Sequence, residues 1–324
     1  MSDLILIAGQ TILIGVLLLT LAGRLGQAGK YFELASHFRV QYLIAAAISL
    51  AVFTAGQSWL WVVAALVYVT GGVAALVPYY SPRHRTTRAG DLTTLRLLLS
   101  NVNYRNENFS ALLELIRAEQ PDILIAQEAT AKWCRALQVL AVDYPHHVIV
   151  PRGRGAGIAL LSRVPVLQAE VVFVGRHQRP GILLKMNNGG REFTLLTMHT
   201  HAPLRRLHFG HRNALLSATV SLLRREQSPR PLVVIGDLNI SPWSPHFKEL
   251  LRATGLREAR TSGFGLLPTW PVWLRLPWLM IPIDHCLVSS GIEVVGMWTG
   301  RNVGSDHLPI IVDLAMADAP AIRT

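Results

Sequence analysis

Three apolar stretches crowded into the first eighty residues constrain this chain more than any other feature. Residues 4–22 are apolar apart from Gln10 and two threonines, and residues 40–56 and 59–77 form two more runs separated only by Gln57-Ser58. About 20 apolar residues cross a bilayer core as a helix. Trp59, Trp61, Tyr79 and Tyr80 stand where interfacial aromatics belong. Asp3 precedes the first run and no basic segment does, so a retained helix is expected rather than a cleaved signal peptide. A soluble protein would have to hide all three runs, which is too much apolar surface for one buried hairpin. The sequence therefore predicts a multi-pass membrane domain over residues 1–80, with about three transmembrane helices and the lipid bilayer as a partner.

Arg24, Lys30 and Arg39 punctuate a polar link over residues 23–39, and Arg83, Arg85 and Arg88 follow the third run. With three spans both groups lie on one side, and the other side carries no Lys or Arg. The positive-inside rule then puts the amino terminus outside the inner membrane and the bulk of the chain in the cytoplasm. Losing one span would reverse this and make the large domain periplasmic.

Residues 81–93 read as a juxtamembrane linker, 94–315 as a soluble domain and 316–324 as a loose tail. The soluble domain opens with a buried strand at 95–101. A helix follows, with Phe109, Leu112, Leu113 and Ile116 on one face and its end before Pro121, and then a strand at 123–127. Residues 131–140 read as helical, and 157–162, 171–174, 181–186, 193–199, 233–236 and 310–314 as strands. A helix is expected at 212–225. This alternation is that of an α/β domain. Cys134 and Cys286 are too few for a disulfide framework and are expected to be reduced. The formal charge of +11 comes mainly from the soluble part and suggests anionic partners: phosphates, nucleic acid or acidic lipid. No signal of oligomeric state is evident.

Several of these strands end in polar side chains. In Val233-Val234-Ile235-Gly236-Asp237-Leu238-Asn239 a buried strand finishes on a carboxylate and a carboxamide two residues apart, hence on one face of an extended chain. Such hard oxygens suit a divalent cation or an attacking water. Asn101, Glu128 and His199 (with His201 just beyond) close other strands, and Asp284 and Asp306-His307 follow later. Each alone has an ordinary explanation: a helix cap for Glu128, a solvated loop acid for Asp284, surface polarity for a histidine. Together they can supply an oxygen-rich metal site flanked by imidazoles, and Asp284 could orient a proton-transferring histidine.

Ser100-Asn101-Val102, Ala126-Gln127-Glu128, Gly157-Ile158-Ala159-Leu160-Leu161-Ser162-Arg163, Gly236-Asp237-Leu238-Asn239, Ile283-Asp284-His285 and Gly304-Ser305-Asp306-His307 resemble, in order and spacing, the motifs of the endonuclease/exonuclease/phosphatase superfamily, and among it the bacterial membrane-anchored members. The resemblance covers about residues 94–314. It implies a four-layer α/β sandwich, two packed mixed sheets flanked by helices, with the site at one edge. It also implies Mg²⁺ or Mn²⁺ as cofactor and a phosphate ester (phospholipid, nucleotide or nucleic acid) as substrate. Residue by residue, Glu128 would be the main metal ligand, Asn101 would help hold metal or phosphate, and Asp306 would sit at the metal. Asp237 would orient or deprotonate the attacking water and Asn239 would bind a phosphate oxygen. His307, oriented by Asp284, would act as base or donor. The remaining histidine of the pattern is His199, with His201 as the alternative.

The chain departs from the pattern of the abasic-site nucleases, which place a tyrosine before the strand at 157; here stand Arg152-Gly153-Arg154-Gly155, and Arg154 is a candidate phosphate binder. Long basic, aromatic insertions that would grip a duplex are also missing. Residues 269–280 carry Trp270, Trp273 and Trp278, read either as a hairpin lining the sandwich or as an apolar lip dipping toward the membrane. The expected function is thus a membrane-anchored, metal-dependent phosphodiesterase or phosphomonoesterase. The alternatives are a membrane-tethered nuclease and a non-catalytic scaffold or sensor on the same fold.

Overall fold

The computed structural model describes residues 3–81, 93–174, 179–226 and 230–316. The linker with Arg83, Arg85 and Arg88 and nearly all of the expected tail lie outside the described residues.

The amino-terminal part is helical: α1 (Asp3–Arg24), α2 (Lys30–Ser36), α3 (Arg39–Ala55) and α4 (Trp59–Tyr80). Two helices, α1 and α4, are long and apolar enough to cross a membrane, and the number rises to three if α2 and α3, bent by 63°, count as one span. The helices meet through a narrow seam of Leu13, Ala46, Phe53 and Ala65. Leu4, Leu18, Leu60 and Val67 point outward and are exposed. An outward apolar surface of this kind is stable in lipid rather than in water.

The link over 23–39 differs from the polar connector expected of it. It folds into a 3₁₀ turn (Gly26–Ala28) and α2, and packs against the soluble domain, where Glu33, Ser36 and His37 are buried. Glu33 meets the buried Arg212 at 2.6 Å, and His37 Nδ1 lies 2.8 Å from Ser241 Oγ. The polar side chains of the link are thus spent on a protein interface.

The soluble part contains two six-stranded sheets. The first holds β1 (Thr93–Asn101), β2 (Ile123–Gln127), β3 (His146–Val150), β4 (Ile158–Ser162), β11 (Ile292–Thr299) and β12 (Ile310–Met316), in the order β11-β12-β1-β2-β4-β3. The second holds β5 (Val166–Val174), β6 (Arg179–Asn188), β7 (Arg191–Met198), β8 (Leu232–Asp237), β9 (Arg257–Glu258) and β10 (Asp284–Val288), in the order β5-β6-β7-β8-β10-β9. The sheets face each other across one apolar core that includes Leu97, Ile125, Leu160, Leu184, Leu195, Ile235 and Val312. On the outer face of the first sheet, α5 (Phe109–Glu119) and α6 (Ala131–Leu137) bury Leu112, Ile116 and Trp133. On the outer face of the second, α7 (Arg206–Arg225) and α8 (Pro245–Thr254) bury Leu215, Phe247 and Leu250. This is the expected four-layer α/β sandwich.

Local chemistry sets the helix ends. The Asn108 side chain accepts the Ala111 N–H at the start of α5, and the helix stops at a left-handed Gln120 before Pro121. Ser244 caps α8, Pro245 opens it and Gly255 closes it at φ 69°. The strands β3, β9, β10 and β11 and the helix α8 join the expected elements, and α7 begins six residues before the apolar face that announces it.

The topology decides where the polar strand ends go. β1 and β2 are parallel, as are β7 and β8, so each pair delivers its carboxyl ends to one edge. β10 runs antiparallel to β8 with Asp284 opposite Asp237, so it contributes its first residue to that edge. β12 runs antiparallel to β1, which brings the preceding loop, with Asp306 and His307, to the same place.

Candidate active site

Gln127 joins the two sheets beneath the site. Fully buried, its Nε2 donates to the Met198 carbonyl at 2.8 Å while its Oε1 accepts the Asp237 N–H at 2.9 Å. No Cβ is tolerated where the strands come this close: one on Gly236 would overlap the Met198 carbonyl oxygen, and one on Gly157 the Ala129 carbonyl. These two glycines are required by close backbone approach, not by turn geometry.

Asp237 is the hub. It is buried, its Oδ1 accepts the Asn239 N–H at 2.8 Å and its Oδ2 accepts Asn101 Nδ2 at 3.0 Å. His199 Nε2 lies 3.4 Å and His307 Nε2 3.7 Å from that same Oδ2. Burial alone would raise its pKa, but His307, His199 and the Asn239 amide outweigh burial and hold it down at about 2. Asp237 is therefore a carboxylate throughout the physiological range.

His307 is set from the other side. Its Nδ1 lies 2.9 Å from Asp284 Oδ2, and its backbone N–H is held by Ser305 Oγ, which itself donates to the Asn101 carbonyl. Burial works against the imidazolium, yet the charges of Asp284 and Asp237 prevail and push its pKa up to about 10. Asp237, Asp284 and His307 form a compact group whose ligand atoms lie within 4.8 Å of one another. Between these two carboxylates the protonated imidazole is a charge-stabilised donor, and the same three groups are also a candidate cation site.

Hard oxygens sit on the neighbouring wall. The Glu128 carboxylate takes the Tyr104 N–H at 3.0 Å and Asn101 Nδ2 at 3.3 Å. Asp306 is oriented by Asn103 Nδ2 at 2.8 Å and Trp270 Nε1 at 3.2 Å. Two carboxylates on one wall suit a hard divalent ion that keeps several waters. Asn103, Glu128, Arg154 and Asn239 all have left-handed backbones (φ 48–63°), a conformation that costs non-glycine residues about 1–3 kcal/mol each and clusters at functional sites.

A cavity of about 920 Å³ opens onto these groups. Glu128, Asp237, Asn239, His199, Asp306 and His307 line it, and the exposed Arg154 stands at its rim. Asn101 and Asp284 do not line the cavity; they stand behind it and orient Glu128, Asp237 and His307. Of the two histidines after β7, His199 faces the carboxylates. His201 turns toward His208 and His211, with ring centroids 5.3 and 5.5 Å away.

Sequence reading missed Arg179. Its Nη1 donates to His199 Nδ1 at 2.9 Å and to the Gly155 carbonyl at 3.1 Å. A guanidinium can only donate, so Nδ1 accepts and the His199 proton sits on Nε2, facing Asp237. The register of β6 on β7 brings Arg179 there, and nothing local to residue 179 signals it. Gln127, inside Ala126-Gln127-Glu128, and Asn103, just after Ser100-Asn101-Val102, are further site residues that sequence reasoning missed.

Comparison with known proteins agrees with this geometry. The model of the Endonuclease/Exonuclease/phosphatase family matches residues 98–307. The chain belongs to that family. Members of the endonuclease/exonuclease/phosphatase family are metal-dependent hydrolases of phosphate esters, and the chain is an enzyme of this class. A search of curated protein sequences finds no match. Among solved structures, a humanized D. rerio TDP2 superposes with a TM-score of 0.57 at 17% identity, covering 68% of this chain and 99% of that one. The human Nocturnin catalytic domain gives 0.58 at 19% identity, covering 69% and 95%. An endonuclease/exonuclease/phosphatase from Beutenbergia cavernae gives 0.56 at 19% identity, covering 71% and 73%. At these identities the likeness is one of fold. The family match lies within the two-sheet sandwich and does not reach the apolar helices.

Proposed function

We propose that the protein is a membrane-anchored phosphoesterase, dependent on Mg²⁺ or Mn²⁺, whose substrate is a phosphodiester or phosphomonoester carried on a lipid headgroup. One observation carries the reading. The cavity that gathers Glu128, Asp237, His199 and His307 is also lined by Leu34, His37 and Phe38 of the membrane link. A second supports it. Residues 272–279 form two short 3₁₀ turns that leave Trp273 and Trp278 exposed, and Gln41 of α3 donates to the Trp278 carbonyl at 2.8 Å. Exposed tryptophans tied to the start of a candidate span suit a headgroup-level lip.

In this reading Glu128 holds the cation, with Asp306 beside it and Asn101 behind. Bound there, the ion would polarise a phosphoryl oxygen. Asp237, ionised and held by the Asn239 amide and Asn101, orients the attacking water. It takes the water's proton as the new P–O bond forms and the bond to the leaving oxygen breaks, the departing oxygen taking up a proton in turn. His307, protonated and braced by Asp284, donates to the phosphoryl oxygens as charge builds on them. His199 presents its Nε2 proton to the same centre, while Asn239 and Arg154 meet phosphate oxygens.

The docking of the link on the carboxyl-terminal domain supports a three-span arrangement, in which both lie on one side of the membrane. The basic residues of the link then favour the cytoplasmic face of the inner membrane. The test is a panel of phosphodiesters, phosphomonoesters and phospholipids, assayed on the full chain with Mg²⁺, with Mn²⁺ and with chelator. Hydrolysis confined to phospholipid and abolished by chelator is expected. Equal turnover of soluble esters or nucleic acid, together with indifference to phospholipid, removes the lipid reading. The charge of +11 favours a nuclease as the next reading, and nucleic-acid affinity that falls steeply with salt would select it.

A further inference from the structure

A second cavity, of about 450 Å³, lies among the apolar helices and away from the hydrolytic site. α1 and α4 both pack on α3, and the gap they leave is bridged by Thr20 Oγ1 and Tyr68 OH at 2.7 Å. Leu17, Leu21 and Arg24 recur at helical spacing on the α1 wall, as do Arg39 and Leu43 on α3. Gly71, Gly72 and Leu76 belong to the α4 wall, and Trp243 of the soluble domain closes the end.

Charge is distributed unevenly along this groove. α1 ends at Arg24 and α3 begins at Arg39, so both guanidinium groups gather at the end beside the soluble domain. Lys248 of α8 is close to both: burial first, then the charges of Arg39 and Arg24, hold its amine below the usual lysine range. Among the described residues neither arginine has a carboxylate partner, and Arg39 Nε is buried without a hydrogen-bond acceptor. Glu33, the acid of the link, is committed to Arg212 and Ser244. From Arg24 back to Leu17 the helix rises about 10 Å, so the walls turn apolar at the depth where acyl chains begin.

We propose that this groove binds an anionic phospholipid, with its phosphate between Arg24 and Arg39 and an acyl chain along the leucine walls. Clustered cations at the end of transmembrane helices, without acidic neighbours, are the arrangement that recognises acidic headgroups. The site lies between the helices and the soluble domain, so the lipid would fasten one to the other. It rests on the membrane-anchored reading and is independent of the hydrolytic one.

The test is native mass spectrometry of the full chain released from micelles doped with phosphatidylglycerol or with phosphatidylcholine of the same acyl chains. Phosphatidylglycerol is expected to stay bound and phosphatidylcholine to be lost, and excess inorganic phosphate should leave the adduct intact. Arg24→Gln and Arg39→Gln should each weaken retention about five-fold. Gly71→Leu keeps both arginines and fills the groove from a position where an added Cβ meets nothing within 4 Å; it should also abolish retention. Equal retention of the two lipids by the wild type overturns the proposal, as does displacement by phosphate alone. So does undiminished retention in Gly71→Leu, which decides the matter if the arginine variants fail to fold.

Discussion

Glu33→Gln tests how the link over residues 23–39 and the candidate active site are joined. Glu33 and Arg212 are both fully buried and meet at 2.6 Å, so their attraction is not screened by solvent. Arg212 also donates from Nη1 to the Asn239 carbonyl at 3.1 Å, which ties the link to the turn that follows Asp237. Removing one partner of a buried pair strands the other charge and costs about 3–5 kcal/mol. Arg212 keeps its bonds to the Asn213 side chain and the Asn239 carbonyl, so the lower end of that range applies. For a domain of this size each kcal/mol moves the melting midpoint by about 2–4 °C, so a fall of roughly 6–12 °C is expected. The assay is thermal unfolding of the full chain in micelles, followed by tryptophan fluorescence. The Glu107–Lys132 pair, 62% and 60% exposed, is the control, and Lys132→Gln should stay within about 2 °C of wild type. Replacing both charges together, Glu33→Leu with Arg212→Met, should recover most of the loss, because no charge is then left buried alone. Turnover should fall in Glu33→Gln and not in Lys132→Gln. A Glu33→Gln midpoint within about 2 °C of wild type, or a double variant as unstable as the sum of the singles, would refute the reasoning.

Glu128→Ala and His307→Ala should each lower hydrolysis by about 10²–10⁴-fold while leaving the circular dichroism spectrum unchanged; near-normal turnover in either removes the proposed mechanism. The raised pKa of His307 has a definite sign in stability. The folded state holds that proton more tightly than the unfolded chain, so the stabilisation is complete below about pH 6.5 and is lost as pH rises through about 10. Melting midpoints should therefore decline on the alkaline side, and in Asp284→Asn, which removes the largest attraction, the decline should be smaller and end at lower pH. A profile identical to wild type would mean that Asp284 does not hold the proton on His307. Gly236→Ala should destabilise the fold by about 1–3 kcal/mol, because the new methyl overlaps the Met198 carbonyl across two hydrogen-bonded strands; an unchanged melting midpoint would show that the strands can separate at no cost.

Much of this protein was legible in the chain itself, because the relevant signals are local. A run of apolar residues long enough to cross a bilayer, a buried strand ending on a polar side chain and a helix stopped by Pro121 each depend on neighbours in sequence. So did the ordered motifs that gave the family, the sandwich and most of the polar groups around the cavity. What was not local was misread or missed. The link over 23–39 looked like a solvated connector, since Glu33 and His37 reveal nothing of Arg212 and Ser241 some two hundred residues away. Arg179 carried no local signal, and only the pairing of β6 with β7 sets it against His199. Spacing favoured His199 with His201 as the alternative, and which of the two faces Asp237 depends on how the chain turns after β7. Tertiary structure decided these points for one physical reason: charges and hydrogen bonds act through space over a few ångströms, and which distant residues come that close depends on sheet register and docking rather than on order along the chain.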